Sequence, residues 1–231
     1  MTEEKTDCIH IICSGATTKD YLAANMGYER LIPKADQVWS LNKSLRSFKC
    51  DMGFVLDDWI GEYSKSPAYM TDIVRLTNDM KIITTSKDCE VQKMVGSLGG
   101  NIDNVIPFPI QEISDALGQW FWDTCRSNTD KMDKDKFIKQ KGRSMLYMKN
   151  SVPMILAYAW WVGAKSVYLF GADYTHPMSS RREEDKPCAE YWCGFLEACG
   201  VSLYLPSDTT LKSVRDGTDI YGYGARQPIL D

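Results

Sequence analysis

The chain has 231 residues, 44% hydrophobic and 25% charged, with a formal net charge of -4 and a pI near 5.3. That is enough chain for one large globular domain with a full core, and the composition excludes long disorder. An acidic balance also excludes broad electrostatic wrapping of a phosphate backbone, while a local basic segment stays compatible with a nucleic-acid acceptor.

The opening residues, MTEEKTDC, are polar and lack the basic and apolar regions of a secretory signal. No apolar stretch, not even Val152 to Val162, reaches the length of a membrane span. A cytoplasmic protein is therefore expected. Eight scattered cysteines with no CxxC pair, beside two histidines, read as reduced thiols and argue against a structural zinc site.

In chain order, Cys8 to Cys13 reads as a buried strand breaking at Ser14-Gly15, Gln37 to Leu41 as a second strand ending at Asn42, and Gly53 to Leu56 as a third ending at Asp57-Asp58. Ser66-Pro67 has the pattern of a cap and first helical residue, opening a helix with Met70, Ile73, Val74 and Thr77 on one side. Strand Lys81 to Thr85, a helix closing near Gly99-Gly100, strand Asn104 to Phe108 and a helix carrying Ile113, Leu117, Trp120 and Phe121 follow. The region 126–146 is a charged insertion, expected as a solvated loop, a short surface helix or a lid over the site. Asn150-Ser151-Val152-Pro153 opens a helix apolar on nearly every face and ended by Gly163. Strand Ser166 to Phe170, a helix carrying Tyr191, Trp192, Phe195, Leu196 and Cys199, and strand Val201 to Leu205 complete the pattern. Strands alternating with helices imply an α/β, Rossmann-like, mostly parallel sheet flanked by helices, one domain over 1–231, with ligands at the carboxyl ends of the strands.

Those strand ends carry the candidate chemistry. Ser14-Gly15-Ala16-Thr17 offers hydroxyls and backbone N–H groups to a phosphate, although it is neither G-x-G-x-x-G nor a P-loop and equally suits an ordinary strand-to-helix turn. After Gly171, the residues Asp173, Tyr174 and His176 present an acid, a phenol and an imidazole together. Tyr174 suits hydrogen bonding to a leaving phosphate and His176 suits proton removal from an acceptor hydroxyl, the alternative being an exposed turn histidine. His10, inside a strand, reads as a core residue. Asp57 and Asp58 suit Mg²⁺ beside phosphates, or else Asp57 caps the next turn and Asp58 is solvated. Arg181-Arg182 suits anion clamping, but neighbouring Glu183, Glu184 and Asp185 make local charge pairing the simpler reading.

Ser14-Gly15-Ala16-Thr17, Leu41-Asn42, Asn150-Ser151 through Gly163-Ala164, Gly171-Ala172-Asp173-Tyr174-Thr175 and the closing LYLPSDTTL together resemble the bacterial sialyltransferases that use CMP-sialic acid. The wider resemblance extends to archaeal hydroxymethylpterin pyrophosphokinase-like domains. The sialyltransferase likeness implies a nucleotide-sugar donor, CMP-linked, with Ser14, Gly15 and Thr17 facing its phosphate or sugar. It also implies Asn42 against the donor, Asn150 and Ser151 lining the cytidine pocket, Gly171 at the strand end, and Tyr174 stabilising the leaving phosphate. This chain lacks the asparagine and proline of the family's NGPS turn, its tyrosine comes one position earlier, and His176 lies closer to the motif than the family's histidine. The expected function is a glycosyltransferase acting on an acceptor hydroxyl of a glycan, metabolite or modified nucleic-acid base. Two alternatives stand: a Mg²⁺-dependent pyrophosphokinase-like enzyme using Asp57, Asp58 and Asp173, and a noncatalytic nucleotide-binding or sequestering protein.

Overall fold

A computed structural model of the protein describes residues 7–25, 32–124, 133–174 and 180–211, with no side chains described for 24, 25 and 180–184. The first apolar run forms β1 (Cys8–Ile12), followed by α1 (Thr18–Asn25), β2 (Gln37–Leu41), a 3-10 turn at Asn42–Arg46 and β3 (Met52–Phe54). Two helices, α2 (Trp59–Lys65) and α3 (Pro67–Leu76), lead to β4 (Lys81–Thr84), α4 (Cys89–Ser97) and β5 (Val105–Pro107). Then come α5 (Ile110–Thr124), α6 (Lys134–Met145), α7 (Ser151–Trp161), β6 (Ser166–Phe170), α8 (Ser180–Ala198) and β7 (Ser202–Tyr204). Every strand pairing is parallel, in the order β5-β4-β3-β2-β1-β6-β7.

Burial on both faces explains why the strands read as continuous apolar runs rather than alternating ones. On one face Ile9, Ile11, Trp39, Val167 and Leu169 pack against Ile113 and Leu117 of α5, Ile155 and Leu156 of α7, and Trp192 and Leu196 of α8. On the other, Val55, Ile82 and Val105 pack against Trp59 and the expected stripe Met70, Ile73 and Val74. Beside them Ile12 and Phe170 meet Tyr21 of α1. Each fully buried large aliphatic side chain of this kind contributes about 1.5–3 kcal/mol. Pro67 takes the first position of α3 as expected, but the Ser66 side chain makes no capping bond.

The charged segment shows how a helix can hide from hydropathy. Its residues 133–146 are described, and Lys134–Met145 form α6, capped by Asp133 accepting from the Lys136 N–H at 3.1 Å. The helix lies against α5, and its only buried residue is Gly142. A Cβ on Gly142 would collide with the Ser114 carbonyl, and one on Gly118 with the Ile138 carbonyl, so the two backbones meet directly at these glycines. None of α6 lines the cavity at the strand ends. Among the described residues no helix is long and apolar enough to cross a membrane.

Candidate functional site

In chain order the sheet grows from β1 outward through β2 to β5, then returns to the other side of β1 with β6 and β7. The strand order therefore reverses between β1 and β6, and the loops leaving these two strands part to open a crevice. There Ser14, Gly15, Leu41, Asn42, Asn150, Ser151, Val152, Gly171, Ala172, Asp173, Tyr174 and Asp185 line a cavity of ≈ 290 Å³.

The floor is held by backbone contact between the two strand ends. The Gly15 N–H donates to the Gly171 carbonyl at 2.8 Å, and the Cys13 N–H to the Phe170 carbonyl at 2.8 Å. A Cβ on Gly15 would stand 2.5 Å from that Gly171 oxygen, while Gly171 itself has φ +70 and would drive a side chain into Thr18 and Cys13. Both glycines are required by this approach, independently of any ligand. Burial, reinforced by the charge of Asp173, pushes the underlying Cys13 thiol up to about 12, so it is not a nucleophile near neutrality.

Thr17 and Asp173 turn inward to each other. The Thr17 N–H reaches Asp173 Oδ2 at 2.6 Å, its hydroxyl donates to Oδ1 at 2.8 Å, and the same hydroxyl accepts from the Gly171 N–H at 2.9 Å. Thr17 is buried and does not border the cavity, so the expected contact of its hydroxyl with phosphate is replaced by a clamp joining the β1–α1 turn to β6. Asp173 borders the cavity, but both of its oxygens serve that clamp. The carboxylate also occupies the start of α1, where an open α/β sheet commonly receives a ligand phosphate.

Asn42 has the opposite character. It ends β2 with φ 54, a left-handed conformation uncommon outside glycine, and its Oδ1 is buried with no hydrogen-bond partner. Left-handed backbone and an unpaired amide oxygen both cost free energy, and the two coincide here on a cavity wall. Beneath it the buried Ser44 hydroxyl lies 2.8 Å from the Ile12 carbonyl and 2.7 Å from that of Leu41, and accepts the Leu41 N–H at 3.2 Å. That one side chain binds the ends of β1 and β2 together. A lone serine in a short turn gives no sequence signal for such a role.

The far wall is the start of α7. Asn150 caps the helix, its Oδ1 accepting from the Val152 N–H at 3.0 Å, and its Nδ2 lies 3.1 Å from the Tyr174 hydroxyl. With the amide orientation set by the cap, Asn150 Nδ2 donates to the phenol oxygen, and the phenol proton reaches Asn150 Oδ1 only over a long 3.4 Å contact. Burial raises the Tyr174 pKa far above that of a free phenol, so the group is a neutral donor at any physiological pH. The Tyr174 N–H in turn reaches the Thr210 hydroxyl at 3.2 Å, bringing the closing turn after β7 under the site. Exposed Ser14 and half-buried Ser151 add hydroxyls to the rim.

Asp57 and Asp58 are not brought to the cavity. Asp58, rather than Asp57, caps α2, accepting from the Ile60 N–H at 3.1 Å, and Asp57 is exposed beside it. Partial desolvation by its neighbours and then the nearby Glu62 charge raise the Asp57 pKa even in this exposed position. Among the described residues no cluster of three His, Cys, Asp or Glu side chains suits a metal ion. The pair therefore does not fit a Mg²⁺ centre at this site. His176 lies outside the described residues, as do Cys125 and the tail beyond Leu211, and the Arg181 and Arg182 side chains are likewise not described.

No protein-family model and no curated protein matches the chain. Among solved structures it is similar to the sialyltransferase CstII from Campylobacter jejuni in complex with cytidine-5'-monophosphate, at 14% identity and a TM-score of 0.45, covering 89% of this chain and 82% of that one. The same enzyme in complex with CMP-3FNeuAc matches at 14% identity and a TM-score of 0.41, covering 85% and 78%.

Proposed function

We propose that the protein is a nucleotide-sugar-dependent glycosyltransferase that binds a CMP-linked donor in the cavity between β1, β2, β6 and α7. The observation that carries the reading is the convergence of two groups on one space: the Asn42 amide oxygen, buried without a partner on a left-handed backbone, and the neutral Tyr174 phenol, held among the described residues only by Asn150, its proton over a long contact. The strand-end motifs that resemble the CMP-sialic-acid enzymes contribute the choice of nucleotide.

In this reading Asn42 receives a donor hydrogen bond from the ligand, and Ser14, Gly15, Asn150 and Ser151 border the nucleotide. The acceptor hydroxyl attacks the anomeric carbon in line as the sugar–phosphate bond breaks. Negative charge then grows on the departing phosphate, and stabilising that charge is the main demand on the site. Tyr174 meets it by donating its proton in a hydrogen bond, while the first turn of α7 turns its partly positive end toward the same space. Asp173 acts earlier in the chain of causes, by fixing the turn that carries Ser14 and Gly15.

A thermal-shift screen against CMP, CDP, UDP, GDP, ADP and ATP, with and without Mg²⁺, tests the binding step, since a ligand raises stability with the logarithm of its saturation. CMP is expected to shift the melting temperature without metal. A shift seen only with ATP and Mg²⁺ would move the function to pyrophosphoryl transfer. Tyr174→Phe is expected to keep CMP affinity within a few-fold and to lower turnover by about 10- to 100-fold, the scale of one lost transition-state donor.

A further inference from the structure

Among the described residues two carboxylates line the cavity, and their surroundings differ. Asp173 is consumed by the Thr17 clamp. Asp185, on α8 across from the strand ends, lines the same cavity without a hydrogen bond or ion pair to any described residue. It stands close enough to Tyr174 for its charge to add to the burial that raises the phenol's pKa. Among the described residues no lysine or arginine lines the cavity. An unpaired carboxylate on the wall of a phosphate-binding cavity weakens ligand binding by like-charge repulsion, so it is a liability unless the chemistry uses it.

We propose that Asp185 is the catalytic base of the transfer, an inference that rests on the glycosyltransferase reading above. Its carboxylate takes the proton from the attacking hydroxyl as that oxygen bonds to the anomeric carbon. The carbon–oxygen bond to phosphate breaks with its electron pair going to the leaving nucleotide, whose new negative charge meets the Tyr174 phenol. One proton moves to Asp185 and one negative charge moves to CMP, so the step balances without metal or redox partner. Acid and phenol then hold separate roles, one on the nucleophile and one on the leaving group. A serine or alanine at 185 would leave the cavity intact but the nucleophile unactivated.

The experiment measures CMP release from CMP-N-acetylneuraminic acid with water as the acceptor, together with calorimetric CMP affinity and melting temperature, for wild type, Asp185→Asn, Asp185→Glu and His176→Ala. Asp185→Asn is expected to release CMP at least about 100-fold more slowly, the usual worth of a general base, while binding CMP as tightly as wild type or more tightly. Asp185→Glu keeps the carboxylate and is expected to recover part of the rate, which separates a lost base from a damaged fold. A merely lining acid predicts tighter CMP binding and turnover within about threefold of wild type in Asp185→Asn, and that result overturns the inference. So does a large loss confined to His176→Ala, which assigns proton removal to that residue instead. A wild-type protein that neither binds CMP nor releases it overturns the glycosyltransferase reading itself, and the assignment of Asp185 falls with it.

Discussion

Thr17 and Asp173 are 156 positions apart and meet through two hydrogen bonds, while the Thr17 hydroxyl accepts a third from the Gly171 N–H. Each has a plausible ligand-facing role when read alone, which is why the sequence suggested phosphate contact for one and catalysis for the other. Thr17→Val removes a hydroxyl that serves Asp173 and the Gly171 N–H at once. It is expected to destabilise the protein by about 1–3 kcal/mol in chemical denaturation, the cost of stranding buried polar groups. Stability equal to wild type would show that the clamp carries no load. Asp185 was hidden for the converse reason: beside Arg181, Arg182, Glu183 and Glu184 it reads as surface charge, and only the packing of α8 directs it to the cavity. His10 was read correctly as a core residue, buried between Tyr21, Tyr168 and Phe170 with Nε2 unpartnered. Burial lowers its pKa below 6.5, against a smaller opposing effect from a Pro33 backbone hydrogen bond. The folded state therefore holds its proton less tightly than the unfolded chain, and the sign follows. Stability is full above pH 6.5 and declines as pH falls toward the folded pKa, because the unfolded chain protonates first. His10→Phe is expected to flatten that decline in melting curves taken from pH 7.5 downward; an unchanged slope would place the titration elsewhere.

Most helices and strands follow from where apolar residues stop and start. The strands end at Ser14, Asn42 and Gly171 because a buried apolar run cannot continue into polar or glycine residues without leaving the sheet, and those ends form the site. The α7 helix announces itself by Asn150 at its cap and by a run of residues buried on several sides. The α6 helix gives little such sign, because its closest approach to α5 is made by backbone at Gly118 and Gly142, with Phe137 the one aromatic ring it adds against Phe121 and Trp122. Hydropathy measures the side chains that are present, and here the close approach depends on their absence at two positions. Gly142→Ala forces a methyl group against the Ser114 carbonyl and is expected to cost about 1–3 kcal/mol in denaturant unfolding, the range for overpacking, despite alanine's better helix propensity. A variant as stable as wild type, or more so, would mean that the two helices separate without penalty.

The assembled molecule adds what no single segment contains, the strand order. Alternation of strands and helices implies a parallel sheet, yet several orders satisfy it, and the location of a crevice depends on which one forms. Placing β6 beside β1 brings Gly171 to Gly15, Asp173 to Thr17 and Tyr174 to Asn150, while leaving Asp57 and Asp58 outside the cavity wall. The topology thereby separates residues that look equally eligible in the sequence: some of them meet at one cavity, and Asp57 and Asp58 stay outside it. Calorimetric titration of CMP into wild type and Asn42→Gly, in the absence of Mg²⁺, tests that pocket most directly. Glycine accepts the left-handed backbone at residue 42, so the variant is expected to melt no lower than wild type while binding CMP about tenfold or more weakly, the worth of one buried hydrogen bond. No CMP binding by wild type, or equal affinity in the two proteins, would contradict a nucleotide pocket built on Asn42.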